Sequence, residues 1–562
     1  MRVFLSWLLL PLVLWLPVAH AQAQAQPQAQ PQAQAQAQEP ARFDILEFVI
    51  EGDTLLGSTA IERAVYPFLG PGRTLDDAEG ARRALQQAYQ AAGFLSVSVL
   101  LPPQQVDPVL AEVRLVVQAA PVRRLRVTGA EHFLPSVVKQ GLPALAPGSV
   151  PQFDEVQQQL AQLAAAAPDR QITPILAAGT QPGTLDVELK VEDQRPLHGA
   201  IEINDKQTDN TERGRLEAAL SYDNLFQRGH GVALNLYTAP TEPSQSSIVS
   251  LLYSLPLGEP EDRLSLALTS SDSDTPTPLG GLTVSRGETW RLRWRDKLDA
   301  PEGLAHALSW GVVRRNLRDS NVDVAGFSIE PPSLRYTLLQ LEYTLEVRGA
   351  LPGRSTRVTT GLGLSLPGLN ARTVDCFGLA LDQFACKRAN ASARFQVVTA
   401  SLEHQEPLGI DAEGWLARVQ LQGQFSDTPL PSSEQVVYGG ADSVRGYLEG
   451  EQAGDIGLAL RLELFAPLWR PREGLSLRLL GFADRAELRR LYALPSEPAS
   501  VALASVGLGL RADTRWGLAA ALDWASVLRG STRTSAMGTP EPLSGRAAGR
   551  GQRWALSVRH SF

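Results

Sequence analysis

Residues 414–427 read GWLARVQLQGQFSD. One parity carries Trp415, Ala417, Val419, Leu421 and Phe425, and the other carries Arg418, Gln420, Gln422 and Gln424. A period of two places these sets on opposite faces of a strand. The pattern returns in GDIGLALRLELF (454–465), where Ile456, Leu458, Leu460, Leu462 and Leu464 oppose Ala459, Arg461 and Glu463. In QLEYTLEVR (340–348) the polar face is Gln340, Glu342, Thr344, Glu346 and Arg348. RWALSVRHSF (553–562) groups Trp554, Leu556, Val558 and Phe562 against Arg553, Ser557 and Arg559.

A soluble sandwich alternates in the same way, so the rhythm of the connections decides the fold. From about Leu197 onward no segment has a helical pattern, and about sixteen strand-length segments follow one another. Compact connections at Gln227–Gly229, Arg348–Ser355, Pro467–Gly474 and Thr514–Gly517 interleave with longer ones. The longer ones lie near Ser271–Gly287, Asn316–Ser333, Asn370–Ser392, Asp427–Asp455 and Ser526–Gln552. Short turns on one side and long loops on the other are the habit of outer-membrane barrels, and an even strand count leaves both barrel ends in the periplasm. Beyond the N-terminus no segment reaches the roughly 18–20 apolar residues of a membrane helix. A membrane-spanning reading therefore requires a closed barrel.

The N-terminus supplies the route. Arg2, the apolar run Val3–Val18 and Ala19-His20-Ala21 form the three parts of an export signal. The Ala/Gln tract that follows, broken by Pro27 and Pro31, has no means of building a core and reads as a tether. Residues 42–120 then show β-α-α-β-β order: FDILEFVIEG, GSTAIERAVYPFLG, LDDAEGARRALQQAYQAAGF, SVSVLLPPQQV and AEVRLVVQA. The same order begins again at VRRLRVTGA and runs to about residue 193. Two tandem modules of this kind offer open sheet edges to which an extended client strand can add.

Composition excludes several classes. The 562 residues carry 52 Lys and Arg against 60 Asp and Glu, without the basic footprint of a nucleic-acid binder. There is no Gly-x-Ser-x-Gly elbow, phosphate loop or His-Glu-x-x-His helix, and only seven histidines, so the chain is expected not to be an enzyme and to need no cofactor. The two cysteines, Cys376 and Cys386, stand ten positions apart without further metal ligands, and in an exported chain they read as a disulfide. Asp272 and Asp274 read as solvated loop acids rather than as a calcium site.

The longest external connection, between the eleventh and twelfth strands, contains VYGGADSVRGYLEG (437–450), and the strand that follows the twelfth is LSLRLLGFADRAEL (475–488). With Leu475, Leu477 and Leu479 facing lipid, the opposite parity turns Ser476, Arg478, Phe482 and Asp484 inward. A loop folded back into the barrel would bring Arg445 to Asp484, with Gly446 allowing close approach and Tyr447 giving a flat packing surface.

These motifs resemble those of the two-partner secretion transporters, the outer-membrane proteins of haemolysin and filamentous-adhesin secretion. Their superfamily also holds the barrel-assembly insertases. The resemblance rests on Val444-Arg445-Gly446-Tyr447 in the sixth external loop and Phe482-Ala483-Asp484 on strand 475–488. Leu101-Pro102-Pro103-Gln104 in the first module, and Asn224-Leu225 with Gly229 in SYDNLFQRGH, add to it. It implies a signal peptide (1–21), a tether (22–41), two POTRA modules (42–120 and 121–193) and a sixteen-stranded antiparallel transmembrane β-barrel (194–562). The Pro-interrupted tract departs from the pore-plugging helix common in that family.

The implied function is a monomeric outer-membrane pore that exports one large partner protein, unfolded and without ATP. The POTRA modules would read that partner, and Arg461, Glu463 and Arg478 would line its path. An insertase for outer-membrane barrels is the alternative, and a passive porin leaves the tandem modules unexplained.

Overall fold

The computed structural model describes residues 41–562 except 53–54, 209–210, 259–260, 274–276, 280–281, 285, 319–321, 325–326, 330, 495–496, 535–539 and 543–550. The signal segment 1–21, the tether up to residue 40 and Asp274 lie outside the described residues. The chain divides into two compact units, residues 41–88 with 98–118, and residues 89–97 with 119–562.

The first module holds a three-stranded sheet in which Glu47–Gly52 and Glu112–Ala119 run parallel and Val97–Leu100 lies on the other side of Glu112–Ala119. Helices Ser58–Val65 and Leu75–Ala91 complete it. The second helix starts where Thr74 and Asp77 exchange bonds, Thr74 N donating to Asp77 Oδ2 at 2.8 Å. Three details differ from the sequence reading. FDILEFVIEG divides at Leu46 into two strands, and Phe43–Ile45 pairs with an extra strand, Gly70–Arg73. SVSVLLPPQQV is a strand only over Val97–Leu100, because Pro102 and Pro103 lack the N–H a ladder needs. Past the prolines, the Gln104 side chain takes over the pairing, accepting from Arg114 N at 2.7 Å and donating to Arg114 O at 2.8 Å.

The second unit begins with a module of the same layout. Val122–Thr128 runs parallel to Leu185–Asp193, which pairs antiparallel with Arg170–Ala178. Helices Pro135–Gln140 and Phe153–Ala166 cover one face over a core that includes Leu125, Val138, Leu142, Leu145, Val187 and Leu189.

The rest is a closed antiparallel barrel with sixteen strand positions among the described residues. In chain order they are Leu197–Asn204, Arg215–Leu225, His230–Thr238, Ser246–Pro256, Arg263–Ser273, Gly287–Leu298, Leu304–Leu317, Leu334–Arg348, Ser355–Ser365, Phe395–Pro407, Leu416–Phe425, Ile456–Phe465, Leu475–Arg489, Ser500–Thr514, Leu518–Val527 and Gln552–Ser561. A short piece, Trp469–Arg472, continues the twelfth position along the thirteenth strand. Closure comes from the first and last strands, paired from Ser557↔Asn204 to Ser561↔Ala200. Asp205 extends that seam, its N–H donating to Leu556 O at 3.1 Å and its Oδ1 accepting from Leu556 N at 3.0 Å.

Alternation settles which face meets lipid. On the twelfth strand Leu458, Leu462 and Leu464 are exposed while Ala459, Glu463 and Phe465 are buried. The thirteenth repeats this, with Leu479 exposed and Leu480, Phe482 and Asp484 buried. The barrel region is not free of helix as its sequence suggests: loop 366–394 holds two short ones, Pro367–Asn370 and Gln383–Lys387. Cys376 and Cys386 are disulfide-bonded there. Tyr336, Phe384, Phe395 and Leu430 pack together as an apolar core at the external end.

Candidate functional site

Loop 426–455 does not stay outside. Its Val436–Tyr438 and Gln452–Gly454 segments pair as a short hairpin, and the segment between them is buried almost throughout. Tyr438, Val444 and Tyr447 form a core with Ala459, Ala486, Leu488, Leu503 and Val527, inward residues of the twelfth to fifteenth strands. The seating of this apolar set fixes where the charged one arrives.

Arg445 is 1% exposed and faces the wall. Its Nε donates to Asp484 Oδ2 and its Nη2 to Asp484 Oδ1, both at 2.7 Å, while its backbone N–H reaches Asp484 Oδ2 at 3.1 Å. Nη1 donates to Glu463 Oε1 at 2.7 Å. The guanidinium lies 3.6 Å from the centre of the Phe482 ring, whose face adds a cation–π contact. Register explains the convergence. The twelfth and thirteenth strands pair Arg461↔Asp484 and Glu463↔Phe482, so both carboxylates and the ring share one inward patch. A dry, fork-shaped contact to two carboxylates specifies position more than it adds net stability.

The neighbouring residues differ from simple lumen lining. Glu463 is a second partner of Arg445, and it also lies 3.4 Å from Arg418 and 3.6 Å from Arg461. Arg461 donates to Asp442 O at 3.1 Å, binding the loop itself. Arg478 points toward the periplasmic turns, donating to Ala466 O at 2.9 Å and Gly414 O at 2.6 Å. Open lumen lies elsewhere, in a cavity of about 550 Å³ lined by Glu202, Glu217, Asn235, Thr269, Arg291 and Arg559.

Gly446 and Tyr447 have separate duties. Gly446 has φ +91°, and a Cβ there would stand 3.0 Å from Ala525 Cβ and 3.2 Å from Val527 Cγ2. Tyr447 Oη donates to Arg529 O at 2.6 Å and accepts from Ala504 N at 3.0 Å. The tip then meets the first external loop, where Glu449 N donates to Gln207 O at 2.9 Å. Glu449 is itself buried, with Oε1 accepting from Ala441 N at 2.8 Å. Burial and the nearby Asp442 carboxylate push its carboxyl up to about 7.

A second buried pair was not legible in the sequence. Asp455, the last residue of the loop, accepts from both terminal nitrogens of the Arg388 guanidinium, Nη2 at 2.7 Å, and from Leu430 N at 2.9 Å and Leu491 N at 2.7 Å. Arg388 also donates to Leu430 O at 2.8 Å and Leu491 O at 2.9 Å. Three external loops, 366–394, 426–455 and 490–499, therefore meet at one carboxylate. Burial raises its pKa, but the Arg388 guanidinium and the two amides outweigh burial and hold Asp455 below the usual carboxylate range.

At the periplasmic end, Gln227 in the turn after SYDNLF joins barrel to second module. Its Nε2 donates to His132 O at 3.0 Å and its Oε1 accepts from Leu134 N at 3.1 Å. Asn224 fixes that turn through Gln227 Oε1 and Gly229 N. Asp272 is ion-paired with Arg286 at 2.6 Å.

The sequence matches the family described as haemolysin secretion/activation protein ShlB/FhaC/HecB over residues 183–512, and the ShlB-type POTRA domain over residues 43–117. Among curated proteins it is similar to the outer membrane transporter CdiB of Escherichia coli O6:K15:H31 (strain 536 / UPEC), 25% identical over 438 residues, covering 75% of this chain and 68% of that one. Among solved structures, CdiB from Escherichia coli superposes with a TM-score of 0.60 at 18% identity, over 95% of this chain and 93% of that one. BamA from Haemophilus ducreyi lacking POTRA domains 1–3 gives 0.53 at 15% identity, over 92% and 100%. The two structural likenesses speak to fold alone.

Proposed function

This chain belongs to the haemolysin secretion/activation family of outer-membrane transporters, with its POTRA region in the periplasm, and from that premise we propose that it exports one large, specific partner protein to the cell surface. The family match across 183–512, from the last strand of the second module into the fourteenth barrel strand, carries this reading. The partner arrives unfolded, adds an extended segment to a POTRA sheet edge, and passes through the polar lumen. Sequence motifs for ATP use are absent. Folding outside supplies direction, because a folded chain does not slip back.

On this reading loop 426–455 holds the resting pore in one arrangement. Its seating beside Phe482 and Asp484 supports a two-state element, in which passage of the partner displaces the tip while the base at Asp455 stays attached.

The deciding experiment compares surface, supernatant and outer-membrane proteomes of the native bacterium with and without this protein. Loss of one large exoprotein with other barrels unchanged is the expected result. A broad fall in outer-membrane barrels overturns it in favour of an assembly factor.

A further inference from the structure

The lipid-facing wall of the sixth, seventh and eighth strands changes character in ordered rows. From the periplasmic side outward, register aligns Trp294–Trp310–Leu341, then Leu292–Val312–Leu339, then Trp290–Arg314–Thr337, then Glu288–Asn316–Arg335. Trp290, Leu292, Trp310, Val312, Leu339 and Leu341 are all exposed large apolar side chains, and Arg314 and Arg335 are exposed beside them. An aliphatic row, followed by a row in which Trp290 stands beside Arg314 and then by the charged Glu288 and Arg335, marks the level where acyl chains give way to headgroups. The connection from the seventh to the eighth strand is external, so this is the outer leaflet.

The two guanidiniums are held but not neutralised. Arg314 Nη1 donates to Thr337 Oγ1 at 2.9 Å, and Arg335 Nε donates to Asn316 Oδ1 at 3.0 Å. Among the described residues neither is ion-paired, whereas Arg485, also outward, has Glu487. Glu288, the carboxylate of the same row, faces Asn316 and is in ion-pair contact with neither arginine. The backbone under the site is fixed as well. Gln383 brackets Arg335, accepting from its N–H at 3.0 Å and donating to its carbonyl at 2.9 Å. Asn370 does the same for Thr337 at 2.8 and 2.7 Å. Two adjacent, preorganised guanidiniums with free N–H groups match the oxygens of a phosphate monoester.

We propose that Arg314 and Arg335 bind a phosphate of an outer-leaflet glycolipid, seating the barrel in its leaflet beside the external loops. The row position selects this source over free phosphate, since the acyl chains of the same molecule would lie along Leu292, Val312 and Leu339.

The test uses the full chain, purified in detergent and delipidated, with thermal unfolding followed by heat-modifiable migration. Bisphosphorylated lipid A should raise the midpoint, and its dephosphorylated form, phosphatidylglycerol micelles and inorganic phosphate should not. The variant R314Q/R335Q should lose about tenfold in affinity for each arginine removed, and R314K/R335K should retain part of it. An equal shift from dephosphorylated lipid A, or an undiminished shift in the glutamine variant, overturns the site. A full shift from inorganic phosphate or phosphatidylglycerol overturns the glycolipid assignment. If the variants do not fold, the four ligand arms on the unmodified protein decide alone.

Discussion

Arg388 and Asp455 lie 67 positions apart and make a two-pronged contact in which the carboxylate side chain has no exposed surface. The pair ties the disulfide-bearing loop to the base of the loop that carries Arg445. Removing Arg388 strands a buried charge and should cost about 3 kcal/mol, whereas Asp455→Asn keeps the shape and some of the amide bonds and should cost less. Heat-modifiable migration would rank Arg388→Ala below Asp455→Asn; the reverse order would show that the pair is peripheral. Because the Asp455 pKa is depressed, its contribution is complete above the unfolded carboxylate value and is lost as pH falls through the lower folded value. Stability at pH 5 should therefore equal that at pH 7 as far as this pair is concerned.

Arg445 divides its bonds unequally, three to Asp484 and one to Glu463. A double-mutant cycle should give a coupling of about 3 kcal/mol between Arg445 and Asp484 and about half of that between Arg445 and Glu463. Glu463 keeps Arg418 and Arg461 as neighbours, so it is less dependent on Arg445. Single-channel recordings of Arg445→Ala should show more frequent large openings, and partner secretion should fall. Unchanged conductance and secretion would reduce the loop contact to a packing detail. Arg445→Lys keeps charge but loses the fork, and is expected to behave closer to alanine than to the parent.

What the sequence made legible follows from periodicity. Strand parity put Phe482 and Asp484 on the inner wall, and the loop motif named Arg445, so that contact needed only the loop to fold inward. Glu463 was placed inward by the same rule, but its role depends on the cross-strand pairing Glu463↔Phe482, which alternation within one strand does not encode. Arg388 and Asp455 sit in irregular segments where no period applies, and their meeting depends on how three loops close over one core. The first module shows the opposite limit: GPGR (70–73) has no strand signal and pairs only because Phe43–Ile45 lies beside it.

Gly446 tests strain and sterics separately. Its φ of +91° disfavours any side chain, and a Cβ would press on Ala525 and Val527. Gly446→Ala should unseat the tip by about 1–3 kcal/mol. Adding Ala525→Gly removes the shorter of the two contacts and leaves the backbone penalty, so rescue of conductance should be partial. Complete rescue would mean that the backbone conformation carries no cost there, and no rescue would mean that the wall yields freely.

Glu449 makes the loop tip sensitive to pH near neutrality. Its carboxyl is raised to about 7, with Asp442 adding to burial and with the Ala441 N–H, Lys206 and Arg553 opposing it. A carboxyl whose folded pKa exceeds the unfolded one favours the seated state below about pH 4.5 in full, and that advantage is lost as pH rises from 4.5 through 7. The tip should therefore be held at pH 5.5 and released more readily at pH 8, where Glu449 is charged in a dry site. Limited proteolysis of the 439–450 segment in reconstituted protein, or opening frequency in bilayers, should rise across that interval. Glu449→Gln should abolish the pH dependence while keeping a hydrogen-bond acceptor for Ala441. Persistence of the same pH dependence in that variant would move the titration to another group. A flat profile in the parent would mean that water reaches Glu449 and that its carboxyl ionises near the ordinary value.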